Sequence, residues 1–150
     1  AGIGPDALDD PPAQGELRRL LQRRQCPIKV FLLDQKHLSG IGNIYASEIL
    51  ADAHICPELA CSELSEQQVR RLRRSIRSVL QSAVLARGTT ISDYRTGTGD
   101  AGSFQHQLRV YGREGEPCPR RGCRGTIRRI VQAQRSTYYC PECQGGEAET

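Results

Sequence analysis

The sequence contains no tryptophan and no methionine, and only two phenylalanines and five tyrosines in 150 residues. A core with so few large side chains depends on closely packed helices or on staples of another kind. Long apolar runs are missing as well. No stretch reaches the 18 or more residues of a membrane span, and no charged segment followed by an apolar one opens the chain. Membrane and secreted readings lose support, and a soluble, cytoplasmic chain is expected. Lysine is scarce: Lys29 and Lys36 are the only two among 21 basic residues.

What is present is unevenly placed. Both ends are acidic, with Asp6, Asp9, Asp10 and Glu16 at the start and Glu142, Glu147 and Glu149 at the finish. Residues 107–135 hold eight arginines, Arg109, Arg113, Arg120, Arg121, Arg124, Arg128, Arg129 and Arg135, against Glu114 and Glu116. An excess of that size suits a polyanion, although charge alone leaves a solvated arginine face equally open.

Along the chain, Ala1 to Gly15 is punctuated by proline, glycine and aspartate and reads as a linker or extended arm. Leu17, Leu20 and Leu21 suggest a short amphipathic helix ending before Pro27, and Ile28 to Leu33 a second, mostly buried one. Gly40 and Gly42 flank a turn from which Ile44, Ala46, Ile49 and Leu50 resume a helical period. Ser65 and Gln68 form a capping-box signature for a long helix. Its stripe is Val69, Leu72, Ile76, Val79, Leu80, Ala83 and Val84, and Gly88 is its natural stop. Residues 92–104 read as a loop, and Leu108 onward as a β-prone tail. The fold class is therefore mainly α, a helical bundle followed by a small β-hairpin.

Seven cysteines supply the staple. Cys118-x4-Cys123 and Cys140-x2-Cys143 are two close pairs separated by enough chain for a hairpin, which is zinc-ribbon spacing. Four thiolates form a closed structural site for one zinc ion, whose binding free energy supplies folding the tail cannot get from apolar burial. Cys26, Cys56 and Cys61 lack such spacing and read as ordinary buried thiols. His37, His54 and His106 read as surface or packing histidines, Asp34 as a helix-end or turn stabiliser, and Glu48 as structural.

Pro27-Ile-Lys-Val-Phe-Leu-Leu-Asp-Gln35 followed by Ser39-Gly-Ile-Gly-Asn-Ile-Tyr-Ala-Ser-Glu48 resembles the helix-two-turn-helix of the formamidopyrimidine-DNA glycosylase and endonuclease VIII family. Gly88-Thr-Thr-Ile-Ser-Asp-Tyr94, Gly102-Ser-Phe-Gln-His-Gln-Leu108, Val110-Tyr-Gly-Arg-Glu-Gly115 and Gln134-Arg-Ser-Thr-Tyr-Tyr-Cys-Pro-Glu-Cys-Gln144 continue the likeness in order. The resemblance implies a linker or arm at 1–15, a helix-two-turn-helix domain at 16–110 and a zinc-finger hairpin at 111–144. It also implies a disordered tail at 145–150. A lesion-recognition loop at 92–104 would involve Ser92, Tyr94, Arg95, Thr96, Gly97 and Thr98. Cys118-x4-Cys123 is longer than the family's usual two-residue spacing.

The same resemblance implies excision of oxidised purines, 8-oxoguanine and formamidopyrimidines, followed by β,δ-elimination at the abasic strand. The family's nucleophile is an N-terminal proline with a neighbouring glutamate on a preceding β-sandwich domain. This chain begins Ala1-Gly2 and resembles the second half, so no catalytic residue is expected in it and the β-sandwich is expected to be absent. Lys36, Gly42, Asn43 and Arg135 are implied to contact DNA phosphates, Asn43 and Gly42 at a helix start and Arg135 beside the flipped nucleotide. The expected partner is double-stranded DNA with oxidised or abasic lesions, bound by a monomer in a bacterial, nucleoid-associated setting. A standalone non-catalytic damage-binding module and a structured-RNA-binding protein are the alternatives.

Overall fold

The computed structural model describes residues 4–96 and 108–145, and for 86–96 the backbone alone. Four helices precede a hairpin: α1 Gln14–Gln22, α2 Ile28–Leu33, α3 Asn43–Ala53 and α4 Glu66–Thr96, then β1 Arg128–Gln132 and β2 Arg135–Tyr139. A short 3-10 turn, Cys61–Glu63, leads into α4. The expected bundle and antiparallel hairpin are both present.

Two of the helices start where their sequence favours it. Pro27 precedes α2 with its φ already at −59°. Ser65 and Gln68 close a reciprocal capping box, the Ser65 N–H donating to Gln68 Oε1 at 2.8 Å and the Gln68 N–H to Ser65 Oγ at 3.1 Å. Leu17 and Leu21 of α1, Phe31 and Leu32 of α2, Ile49 and Leu50 of α3, and Leu72 and Ile76 of α4 meet in one core. Each such side chain contributes roughly 1.5–3 kcal/mol on burial. Ala51, Val110, Ile127 and Cys140 form a second, smaller core beneath the hairpin.

Three expectations need correction. The opening segment is packed against the bundle: Asp6 bridges Ser39, Ala7 is buried, and the Ala7 N–H donates to the Ser39 carbonyl at 2.9 Å. Its aspartate builds a turn, accepting the N–H groups of Leu8 and Asp9 at 2.9 and 2.8 Å, and the Asp9 and Leu8 amides hold the Asp6 carboxyl below its usual range. Helix α4 runs through Gly88 to Thr96. One interior glycine weakens a helix by about 1 kcal/mol, and without a following proline it does not oblige the chain to turn. Ser92, Tyr94, Arg95 and Thr96, expected in a loop, therefore lie on helical backbone, whereas Gly97, Thr98 and the rest of 97–107 lie outside the described residues. Finally, Val84 belongs to the apolar stripe by spacing yet is 54% exposed, because the core that covers Leu80 and Ala83 ends there.

Candidate metal centre and nucleic-acid interface

Helix α3 begins at a turn shaped by glycine. Gly40 has φ +99°, a conformation that L side chains avoid, and the Gln35 side chain spans the turn, accepting from the Gly40 N–H at 2.9 Å and donating to the Ile41 carbonyl at 3.2 Å. Gly42 is the N-cap and brings no side chain, and no side-chain hydrogen bond caps α3. Asn43, the first helical residue, is not an ordinary cap. Its Nδ2 donates to the Ser136 carbonyl at 3.0 Å and to the Tyr111 hydroxyl at 3.5 Å, reaching across to β2 and to the segment before the hairpin.

Lys29 completes this junction. It stands in the apolar helix α2, fully buried, and its Nζ donates to Asn43 Oδ1 at 2.5 Å and to the Ser136 carbonyl at 3.3 Å. Burial first, and the Arg135 guanidinium second, lower its pKa to about 8. Among the described residues, no carboxylate is paired with Lys29. Lys29, Asn43 and Arg135 gather at the positive end of α3, which makes this junction a candidate site for an anion.

Arg135 is exposed at the start of β2, next to Ser136. Gly42 is exposed at the turn, and Lys36 is exposed between α2 and α3 with no side-chain contact to the Lys29 and Asn43 pair. His37 stacks on Phe31 with ring centroids 5.0 Å apart, and His54 ends α3 with φ +61°. Asp34 caps α2 and accepts the Lys36 N–H at 3.0 Å. His106 lies outside the described residues.

The four cysteines converge. Their Sγ atoms all lie within 4.8 Å of one another, with Cys118 to Cys143 at 3.8 Å and Cys123 to Cys140 at 3.6 Å. A tetrahedral zinc about 2.3 Å from each sulfur sets the sulfurs about 3.8 Å apart, so the thiols present fit this ion. Burial and then the Cys140 and Cys118 sulfurs push the Cys143 thiol up, whereas the Gly125 N–H, 3.4 Å from Cys123 Sγ, pulls that thiol down. Gly125 is required by contact: a Cβ there would stand 2.5 Å from Cys140 Sγ.

The zinc hairpin is fastened to α3 at several points. The Glu48 carboxylate accepts the backbone N–H groups of Arg109, Val110 and Tyr111 at 2.7, 3.0 and 2.8 Å, the structural role its sequence position suggested. Ser47 Oγ accepts the Tyr138 N–H at 3.3 Å, and Gln132 Nε2 donates to the Pro57 carbonyl at 3.1 Å. Buried Gln144 donates to the Ile55 carbonyl at 3.0 Å and accepts the Cys140 N–H at 2.9 Å. Lys29, Tyr111, Ser136 and Gln144 were missed by sequence reasoning. Lys29 alone carried a signal, as the one cation inside Ile28 to Leu33.

Residues 3–95 match the formamidopyrimidine-DNA glycosylase H2TH domain, and residues 115–145 match the zinc finger found in FPG and IleRS. The formamidopyrimidine-DNA glycosylase of Paracoccus denitrificans (strain Pd 1222) is 44% identical over 144 residues, covering 96% of this chain and 51% of the relative. That of Chloroflexus aurantiacus is 48% identical over 141 residues, covering 94% and 50%. The chain thus spans about half the length of the curated relatives it matches. The MutM (Fpg) protein of Thermus thermophilus superposes with TM-score 0.82 at 41% identity, covering 97% of this chain and 55% of that one. A Lactococcus lactis Fpg non-covalently bound to DNA containing an AP site gives 0.81 at 37%, covering 95% and 50%. With its H2TH domain, its four-cysteine site for one structural zinc and relatives of this kind, the chain belongs to the formamidopyrimidine-DNA glycosylase family.

Proposed function

We propose that this chain is the DNA-clamping part of a bifunctional glycosylase and abasic-site lyase that removes oxidised purines, 8-oxoguanine and formamidopyrimidines, and that these residues bind damaged duplex DNA without excising the base. The observation that carries this reading is the convergence of Lys29, Asn43 and the start of β2 on the amino end of α3. A phosphodiester suits that junction: it brings the missing negative charge to a desolvated ammonium, an exposed arginine and the positive end of α3. Among the solved relatives, Lactococcus lactis Fpg has been crystallised with FAPY-dG-containing DNA, and a MutM with carbocyclic 8-oxo-G DNA. Both support the same ligand class.

Lys29 also explains why binding and chemistry part company here. A Schiff-base nucleophile must present a free amine to the sugar, and Lys29 Nζ is sealed beneath Asn43 and Ser136. Borohydride trapping on abasic DNA is expected to give no adduct. An adduct that disappears in Lys29→Met would move catalysis into this chain.

The direct test titrates the zinc-loaded chain with duplexes carrying or lacking an abasic analogue, across salt concentrations and with structured RNA as competitor. Tighter binding to the abasic duplex, with affinity falling linearly in log salt at about 0.9 per phosphate contacted, supports the proposal. Equal competition by structured RNA would overturn it.

A further inference from the structure

Away from the DNA-facing junction, the fold brings together two thiols that the chain separates by 35 positions. Cys26 lies between α1 and α2, and Cys61 opens the 3-10 turn before α4. Their segments run antiparallel. Pro27 bridges Ala60, the Cys61 N–H donates to the Cys26 carbonyl at 2.9 Å, and the Ile28 N–H donates to the Leu59 carbonyl at 2.8 Å. Cys26 and Cys61 are therefore directly opposed, one pair beyond the bridge. Opposed residues of this hydrogen-bonded type stand about 5.5 Å apart at Cα, inside the window a disulfide needs.

The sulfurs are already in contact at 4.0 Å. Cys61 is 1% exposed, and Cys26 is half-buried. Burial and the Cys26 sulfur push the Cys61 thiol up to about 12, so Cys61 rests protonated at neutral pH. Solvent species reach Cys26 first. The pair also sits in the large helical core, apart from the small core that holds the zinc thiols.

We propose that Cys26 and Cys61 are a reversible disulfide site, opened to hydrogen peroxide at Cys26 and closed by Cys61. The Cys26 sulfur attacks a peroxide oxygen, the O–O bond breaks, and Cys26 becomes a sulfenic acid as water leaves. The Cys61 sulfur then attacks the Cys26 sulfur, the S–O bond breaks, and the hydroxyl departs with the Cys61 proton as a second water. Two thiols lose two electrons in total, and one peroxide is reduced to two waters. Burial of Cys61 directs the reaction to the disulfide and away from the irreversible sulfinic and sulfonic acids. The bond ties the start of α2, the helix that carries Lys29, to the turn that precedes α4.

The test treats the zinc-loaded chain with graded hydrogen peroxide and maps its peptides without reduction. The expected result is loss of two hydrogens, a Cys26–Cys61 cross-link retained in Cys56→Ser, and recovery of both thiols with dithiothreitol. In Cys61→Ser, Cys26 is expected to accumulate as a sulfenic acid trapped by dimedone. If that variant does not fold, the wild-type map decides alone. Cys26 advancing to sulfinic acid while Cys61 remains a free thiol, or zinc release before any cross-link forms, would overturn the proposal.

Discussion

Lys29 is the residue whose chemistry most depends on its surroundings. In α2 it reads as one polar interruption of an apolar helix, and only the packing of α3 and β2 against that helix buries its ammonium between Asn43 and Ser136. Replacing it with methionine keeps the apolar stem and removes a buried cation without a counter-charge. Lys29→Met should therefore leave thermal stability equal or raised, while duplex affinity drops about tenfold or more, as binding isotherms would show. The pH dependence has two opposite signs. With the folded pKa near 8 and the unfolded value near 10.4, the unfolded chain holds more protons in between, so the Lys29 contribution to stability rises with pH across that interval. DNA affinity should fall over the same interval, because the positive field that the buried ammonium sets up at the junction is lost. Melting curves and titrations at several pH values, each compared with Lys29→Met, isolate both trends. Arg135 is exposed, and if it meets a phosphate as proposed, Arg135→Ala should weaken binding uniformly and reduce the salt slope by about one unit.

Elements were legible where local chemistry decided them. The Ser65 and Gln68 capping box named the start of α4 from four residues, and the reciprocal bonds at 2.8 and 3.1 Å follow that reading. Ser65→Ala should lower stability by about 1 kcal/mol, which thermal melts of a chain this size register as roughly 4 °C. Legibility failed at three places. Gly88 looked like a terminus, yet α4 continues to Thr96. The opening segment looked like an arm, yet an isolated parallel bridge between Asp6 and Ser39 holds it. The hairpin turn at Ala133 and Gln134, with φ +49° and +66°, lacks the glycine that normally announces such a turn, and the paired strands and zinc close it regardless. Glu48 carried only a hint of a structural role. Its three amide partners lie more than 60 residues on, and Glu48→Gln, which substitutes a donor for an acceptor among them, should destabilise by about 2–3 kcal/mol in denaturant unfolding.

At the scale of the whole molecule, the proposed DNA binding makes zinc and DNA affinity depend on each other through β2. The cysteine spacing made the metal site plain in the sequence, but the packing of its hairpin against Lys29 and Asn43 was not, since the Ser136 carbonyl offers no side-chain signal. Chelation should abolish duplex binding and remove the β signal while the circular dichroism of α1 to α4 persists, because the large core contains no zinc ligand. Besides the Ser47 contact midway along α3, the same hairpin is fixed at two outer points, at the amino end of α3 through Asn43 and just past its carboxyl end through Gln144 and Ile55. Eleven helical residues span about 16 Å. Two fixings so far apart set the pointing angle of the hairpin: a slip of about 1 Å at the Gln144 end turns it by only about 4° across a lever of that length. The glutamine directly after the last zinc ligand thereby acts as an aiming screw for Arg135 at the opposite end of the helix.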